Sequence, residues 1–403
     1  MENQINSQAP ENIRFGLPNR DAAYLQFDHE LVKKYEKYRF ETDMPADKLA
    51  AFIKLNPRQG WQLFEQALAG GIKSISDAPE EFRAFFEREL VPDWVNWDQL
   101  ERASTAIWRP GDLTLLIAAQ ASMIATYIAP QASQSMDRTG EQMARTEGRG
   151  IETTTWFAKA TKPGNMKLGK EGYKLSVRVR LIHAFVRINL AEVEWNHKAL
   201  GLPLNQERNA TAIAFTFSSV FIDAAKKLGT CYDKTEREDI YTFWRYMGYL
   251  LGAPEDLLMK NEEQARTQCA LMALTDLPPD AEGQRLTKLF TEQTPKLDEA
   301  LIKVASPNAA KVVKSGPAFH GLKYAITRRV FGGKISDQLA IPRSTLWRLI
   351  LGSSTPLLYI IDQSKKHLTS QNRARKSVVK RINKTLNTIY EETGDTGKLI
   401  DNS

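Results

Sequence analysis

The chain has 403 residues, 42% of them hydrophobic, with 55 Lys and Arg against 48 Asp and Glu for a net charge of +7. Eight Trp and 17 Phe in a well-mixed charge pattern supply a full core and exclude a disordered chain. Two distant cysteines, Cys231 and Cys269, exclude a disulfide framework and a thiolate zinc site. The opening "MENQINSQAPENIRFGLPNR" has neither a basic n-region nor an apolar h-region, so an intracellular, cytoplasmic chain is expected. Apolar residues recur three and four apart between Pro and Gly breaks, which predicts an all-α fold. Helices are expected near 79–90, 98–107, 111–129, 141–160, 172–199, 206–228, 236–252, 283–304 and 343–362.

Between "WRPGD" and Pro130, "LTLLIAAQASMIATYIA" has 17 residues, the short limit for a membrane span. It carries Gln120, Ser122 and Thr126, and reads instead as the buried central helix of a large helical domain. The segment 161–173, rich in Gly and Lys, reads as a loop. Asn205 is placed as an N-cap, and Pro254 as the first residue of a helix. "VFGGKIS" at 330–336 lacks the first Gly and the hydroxyl residue of a phosphate loop. "LWRLILGSSTPLLYII" at 346–361, interrupted by Gly352 and Pro356, reads as a core or interfacial helix. Residues 365–384 hold eight Lys or Arg and no acid, a pattern able to touch anionic lipid or phosphate. No aromatic residues interleave with these charges, so a nucleic-acid partner is not expected.

Motifs of zinc proteases, α/β-hydrolases and dinucleotide-binding proteins are missing. His183 and His197 are 14 residues apart, about 21 Å on a straight helix, and cannot share an ion. A single-histidine site is the metal chemistry left open. In "VRVRLIHAFVR" at 177–187, helical spacing puts Arg180, His183 and Arg187 on one face, with Val179, Val186 and Leu190 close to it. Haem iron takes one imidazole, and its two propionates suit arginine forks. A core histidine between ion-paired arginines fits the same spacing.

"RVRLIHAFVR" at 178–187, Trp195 and "LGLPLNQE" at 200–207 resemble the haem-dependent oxygenase family that contains the latex-clearing rubber oxygenases and the fungal MpaB oxygenase. "VPDWVNW" at 91–97, "RGIETTTWF" at 149–157 and "FWRYMGYLLGAPEDLL" at 243–258 agree in order, so the resemblance covers about 90 to 260. It implies a single large multi-helix domain with a haem pocket between central helices. In that layout 1–89 is a helical extension packed on the core, 90–310 the catalytic core, and 311–403 a helical segment with a basic tail. It implies haem b iron on His183, cofactor contacts from Arg180 and Arg187, and Arg149 and Thr153 in the pocket with dioxygen as co-substrate. Rubber-cleaving relatives have lysine just before that threonine; this chain has Glu152, and upstream at 129–140 the one acid is Asp137. Whether Glu152 acts as a catalytic base stays open. The expected activity is oxidative C=C cleavage of a hydrophobic, isoprenoid-like substrate, with peripheral membrane contact through 365–384. The alternative is a haem-binding protein of the same fold without oxygenase activity: peroxidase-like, a sensor or a carrier.

Overall fold

The computed structural model describes residues 17–138, 141–305 and 314–394, so the opening residues read above for a leader lie, up to residue 16, outside it. Every regular element among the described residues is a helix, which makes the fold all-α. An N-terminal layer is formed by α1 (Arg20–Gln26), α2 (His29–Tyr38), α3 (Met44–Leu55), α4 (Pro57–Gly70) and α5 (Glu80–Phe86). The centre is built from α6 (Trp97–Ile107), α7 (Leu113–Ile128), α8 (Pro130–Asp137), α9 (Glu141–Ala160), α10 (Glu171–Leu190), the short α11 (His197–Leu200), α12 (206–227) and α13 (Lys234–Leu250). Closing the molecule are α14 (Glu262–Thr275), α15 (Ala281–Glu292), α16 (Pro295–Ala305), α17 (Pro317–Gln338), α18 (Thr345–Leu368) and α19 (Gln371–Thr393).

Local chemistry sets the helix ends. Asn205 caps α12 by accepting from Arg208 N at 2.8 Å, as its position suggested. Asp233 and Glu236 form a reciprocal capping box at the start of α13. Pro295 breaks the helix expected over 283–304 into α15 and α16, because proline has no N–H to continue the ladder. Pro254 opens only a single turn, its carbonyl accepting from Leu257 N and Leu258 N, and not the helix expected there.

One hydrophobic core runs from Leu17 to Ile382 and crosses both boundaries suggested by the sequence. At its middle Phe217 stacks on Trp244 at 5.0 Å and Phe157 on Trp244 at 6.0 Å, locking α9, α12 and α13 together. The apolar helix α7 is buried, and no single described helix is long and apolar enough to cross a membrane. The pair α7 and α8, bent by 97°, passes that test only jointly.

Two central helices depart from α geometry where they face each other. Residues Ala118–Met123 of α7 and Ile213–Val220 of α12 are π-helical, a widening that shifts each backbone bond by one residue. Hydroxyls occupy the displaced carbonyls of α12: Ser218 Oγ donates to Ile213 O at 3.0 Å and to Ala214 O at 2.7 Å. Ser219 Oγ bonds Ala214 O and pairs with the Tyr241 hydroxyl, each at 3.0 Å.

Candidate functional site

A cavity of about 670 Å³ lies between α7, α9, α10, α12, α14 and α17. Both π-helical segments feed its wall, supplying Met123 from one and Ile213, Phe215, Thr216 and Phe217 from the other. Leu274, Phe331 and Ile335 complete a surface that is largely apolar. From α9 come Thr153 and Trp156; from α10 come Val179 and His183, four residues apart on one face.

The wall holds His183 as a neutral base. Burial pushes its pKa down, the positive charges of Arg187 and Arg149 push further, and Asp43 opposes them, leaving it at about 4. Among the described residues no group hydrogen-bonds to either ring nitrogen. A neutral imidazole has one N–H to donate and one lone pair to share.

Arg180 and Arg187 do not line the cavity. Arg180 Nε and Nη2 grip Asp43 at 2.6 and 2.8 Å, Nη1 donates to Phe85 O at 2.7 Å, and the guanidinium lies over the Phe85 ring. Arg187 Nε donates to Asp47 Oδ1 at 2.6 Å, and Thr42 Oγ1 donates to the other oxygen of that carboxylate. Asp43 and Asp47 are one turn apart at the start of α3, so the two pairs clamp α10 to α3 on either side of His183. The arginine forks expected to meet cofactor carboxylates are engaged by protein carboxylates. Burial works to raise the Asp43 carboxyl and Arg180 outweighs it, whereas at Asp47 burial wins over Arg187. Gly252 is what lets the first pair fit: its φ is 85°, and a Cβ there would lie 1.9 Å from Asp43 Oδ2.

Of the other expected residues, Thr153 reaches the cavity; Arg149 and Glu152, half-buried on the same helix, are not among its lining. The Arg149 charge is nonetheless felt at His183 and at Tyr127. Asp137 forms an ion pair with Arg285 and stays outside the cavity. Beyond His183, Thr153 and Thr126, more of the polar wall comes from residues the sequence did not single out. Arg208 bonds Asp276 through both nitrogens, Nη1 to Oδ2 at 3.0 Å, and Asn209, Gln338 and the exposed Lys334 stand nearby in the lining. Arg208 and Asn209 follow "LNQE" directly, the signal that could have marked them. Val186 and Leu190 pack instead with Trp195 and Leu200.

The described residues contain no group of three or more His, Cys, Asp or Glu able to hold a metal ion. An ion bound at His183 therefore has to bring its other ligands with it. A neutral imidazole that bonds no described residue and faces a broad apolar space would fit as the one protein nitrogen held by a macrocycle's iron, whose other four nitrogens the macrocycle brings itself.

Fold and site together define a helical protein that presents a single uncharged imidazole to a largely apolar cavity. The chain belongs to the family of the ER-bound oxygenase mpaB/B′ and rubber oxygenase catalytic domain, whose profile matches residues 107–357. That span reaches further toward the C-terminus than the motifs noted in the sequence. Among solved structures, the fold is similar to that of Latex Clearing Protein LCP in the closed state, with a TM-score of 0.62 and 16% identity. The similarity covers 87% of this chain and 90% of that one. No curated protein matches the sequence at a significant level.

Proposed function

We propose that the protein is a haem b-dependent oxygenase that cleaves a C=C bond of a hydrophobic, isoprenoid-like substrate. The observation that carries this is His183, neutral and without a hydrogen bond to any described residue, in the wall of a largely apolar cavity of about 670 Å³. Family membership supports oxygenase chemistry, and the lining supports the substrate class.

When bound, haem would supply the iron's other nitrogen ligands and the redox chemistry that joins dioxygen to an alkene; insertion of both oxygen atoms into one C=C bond gives two carbonyl groups. The remaining work falls to this chain. His183 offers its lone pair without first losing a proton, because burial and two neighbouring arginines keep it uncharged at neutral pH. The Asp43–Arg180 and Asp47–Arg187 pairs fix the helix that carries it. Thr153 Oγ1, on the adjacent helix and in the same cavity wall, can donate a hydrogen bond to a polar atom held there. Met123, Phe215 and Leu274 exclude water and align an apolar chain.

Titration of the purified protein with hemin tests the reading first: a Soret band is expected for the wild type and lost in His183→Ala. Incubation with an isoprenoid alkene under isotopically labelled dioxygen tests the reaction, and the label should appear in both carbonyl products. A wild type that refuses hemin, or carbonyls without label, ends the proposal.

A further inference from the structure

Helix α18 is built inside out for a protein surrounded by water. Its outer stripe carries Leu346, Leu349, Ile350, Leu357, Ile360 and Ile361, which are 66, 62, 40, 60, 60 and 40% exposed. These positions recur three, four or seven residues apart and continue to Leu368, with Ser353 and Ser364 between them, so they lie on one face about 33 Å long. The polar groups point the other way. Asp362 is buried against Arg109 at 2.9 Å, Lys366 pairs with Asp233 and Glu236, and Thr355 accepts from Arg329 of α17. The helix is thus held to the molecule by ion pairs, hydrogen bonds and the inward Leu351, while its outer apolar stripe is left exposed. An exposed apolar stripe of this length points to an interaction site.

Charge selects the occupant. From residue 339 to 390 the chain has ten Lys or Arg and one acid, the inward-facing Asp362. Among the described residues, Arg348, Lys365, Arg373, Lys376, Lys380 and Lys384 are exposed and have no ion pair. A second copy docked on the stripe would bring these cations together, whereas anionic headgroups would neutralise them. The basic stretch 365–384 alone is a poorer candidate: Lys366, Arg375 and Arg381 are already paired, and Val378 and Ile382 are buried. Because no single described helix is long and apolar enough to cross a membrane, α18 would lie along a bilayer and not through it. Its neighbour α17 supplies Phe331, Lys334, Ile335 and Gln338 to the cavity wall, and α17 turns sharply at Gly332, where φ is 76°.

We infer that the outer face of α18 docks on an anionic lipid surface, with the exposed lysines and arginines of α18 and α19 meeting the headgroups. This goes beyond the proposed chemistry and needs no cofactor to test. Full-length protein is floated with vesicles of equimolar phosphatidylcholine and phosphatidylglycerol, and with phosphatidylcholine alone. Strong recovery is expected on the mixed vesicles, weaker recovery on the neutral ones, and a fall on the mixed vesicles at high salt. The double variant L349E/I360E should bind the mixed vesicles at least about tenfold less, with unchanged circular dichroism and elution volume. Ile360→Trp, which adds no charge, should gain quenching by brominated phosphatidylcholine in mixed vesicles relative to wild type. The inference is overturned if the wild type stays unbound, if the double variant floats as well as wild type, or if no quenching is gained. It is also overturned if the wild type is a dimer that L349E/I360E splits, which would assign the stripe to a second copy.

Discussion

Asp43→Asn separates two roles for Arg180, brace and cofactor anchor. The substitution keeps the shape, and the side-chain oxygen can still accept from Ala46 N at the start of α3, but it removes the charge that faces Arg180. Both partners are under 5% exposed, so the guanidinium has little water to turn to. Breaking a buried pair by removing one partner costs about 3–5 kcal/mol. Arg180 keeps its bond to Phe85 O and its place over the Phe85 ring, which puts the expected loss at the lower end, about 3 kcal/mol. Urea denaturation of hemin-free protein should show this loss as a lower midpoint with an unchanged slope. In a double-mutant cycle with Arg180→Leu, the pair should couple by more than about 1 kcal/mol. If Asp43→Asn leaves stability within 1 kcal/mol of wild type while hemin affinity drops tenfold, Arg180 is an anchor and the bracing argument is wrong.

Titration of His183 should depress stability at acid pH. Its folded pKa of about 4 lies below the ordinary 6.5, so between those values the unfolded chain binds a proton that the folded one refuses. Stability should therefore rise with pH across that window, by at most about 3 kcal/mol, and the His183→Ala variant should lack this increment in denaturation midpoints measured from pH 4 to 6.5. His183→Ala should also lose its Soret band and regain it when free imidazole is added, while circular dichroism stays helical; no rescue would mean the ring acts otherwise than as a ligand. Thr153→Val should bind hemin as wild type does but turn over about tenfold more slowly, with Thr153→Ser restoring the rate; equal rates would remove the hydroxyl from the reaction. Gly252→Ala should destabilise by more than about 3 kcal/mol, since it combines a left-handed φ with a collision at Asp43; a thermal midpoint equal to wild type would contradict the packing around the pair.

Helix positions were legible because a 3.6-residue apolar period survives burial, and Asn205 was legible because a cap acts within its own turn. His183 was marked by helical spacing and by the family resemblance, Thr153 by the resemblance alone, and both reach one cavity. Arg180 and Arg187 show where such reading fails. Their spacing places them beside the histidine, but the carboxylates that claim them lie about 140 residues earlier in the chain, on an element with no diagnostic pattern. Partner choice between distant elements is set by tertiary packing, which one-dimensional periodicity does not encode. Similar reasoning covers the π-helical widenings, where serines at 218 and 219 look like ordinary helix residues until their hydroxyls are seen on displaced carbonyls. The stripe on α18 was visible as apolar sequence, but which way it faces was decided by Asp362 and Lys366 finding partners on the inner side.

The physical reason to propose a ligand for His183 is that its ring faces the cavity with both nitrogens unengaged among the described residues. Imidazole carries both a donor and an acceptor, and neither is engaged by a described residue, although the ring is only partly buried in the cavity wall. A purely structural histidine would be expected to turn one nitrogen toward a carbonyl or hydroxyl. Here the structure does the reverse: two ion pairs hold α10 so that Val179 and His183 face open space, and both positive charges named beside the ring make protonation harder. Leucine at this position would fill the wall without the unpaired nitrogens or the acid sensitivity. A neutral imidazole whose lone pair is not committed to a described residue fits a partner that arrives in the cavity, and a Lewis-acidic metal that carries its other ligands is one such partner, which supports the ligand role proposed for His183.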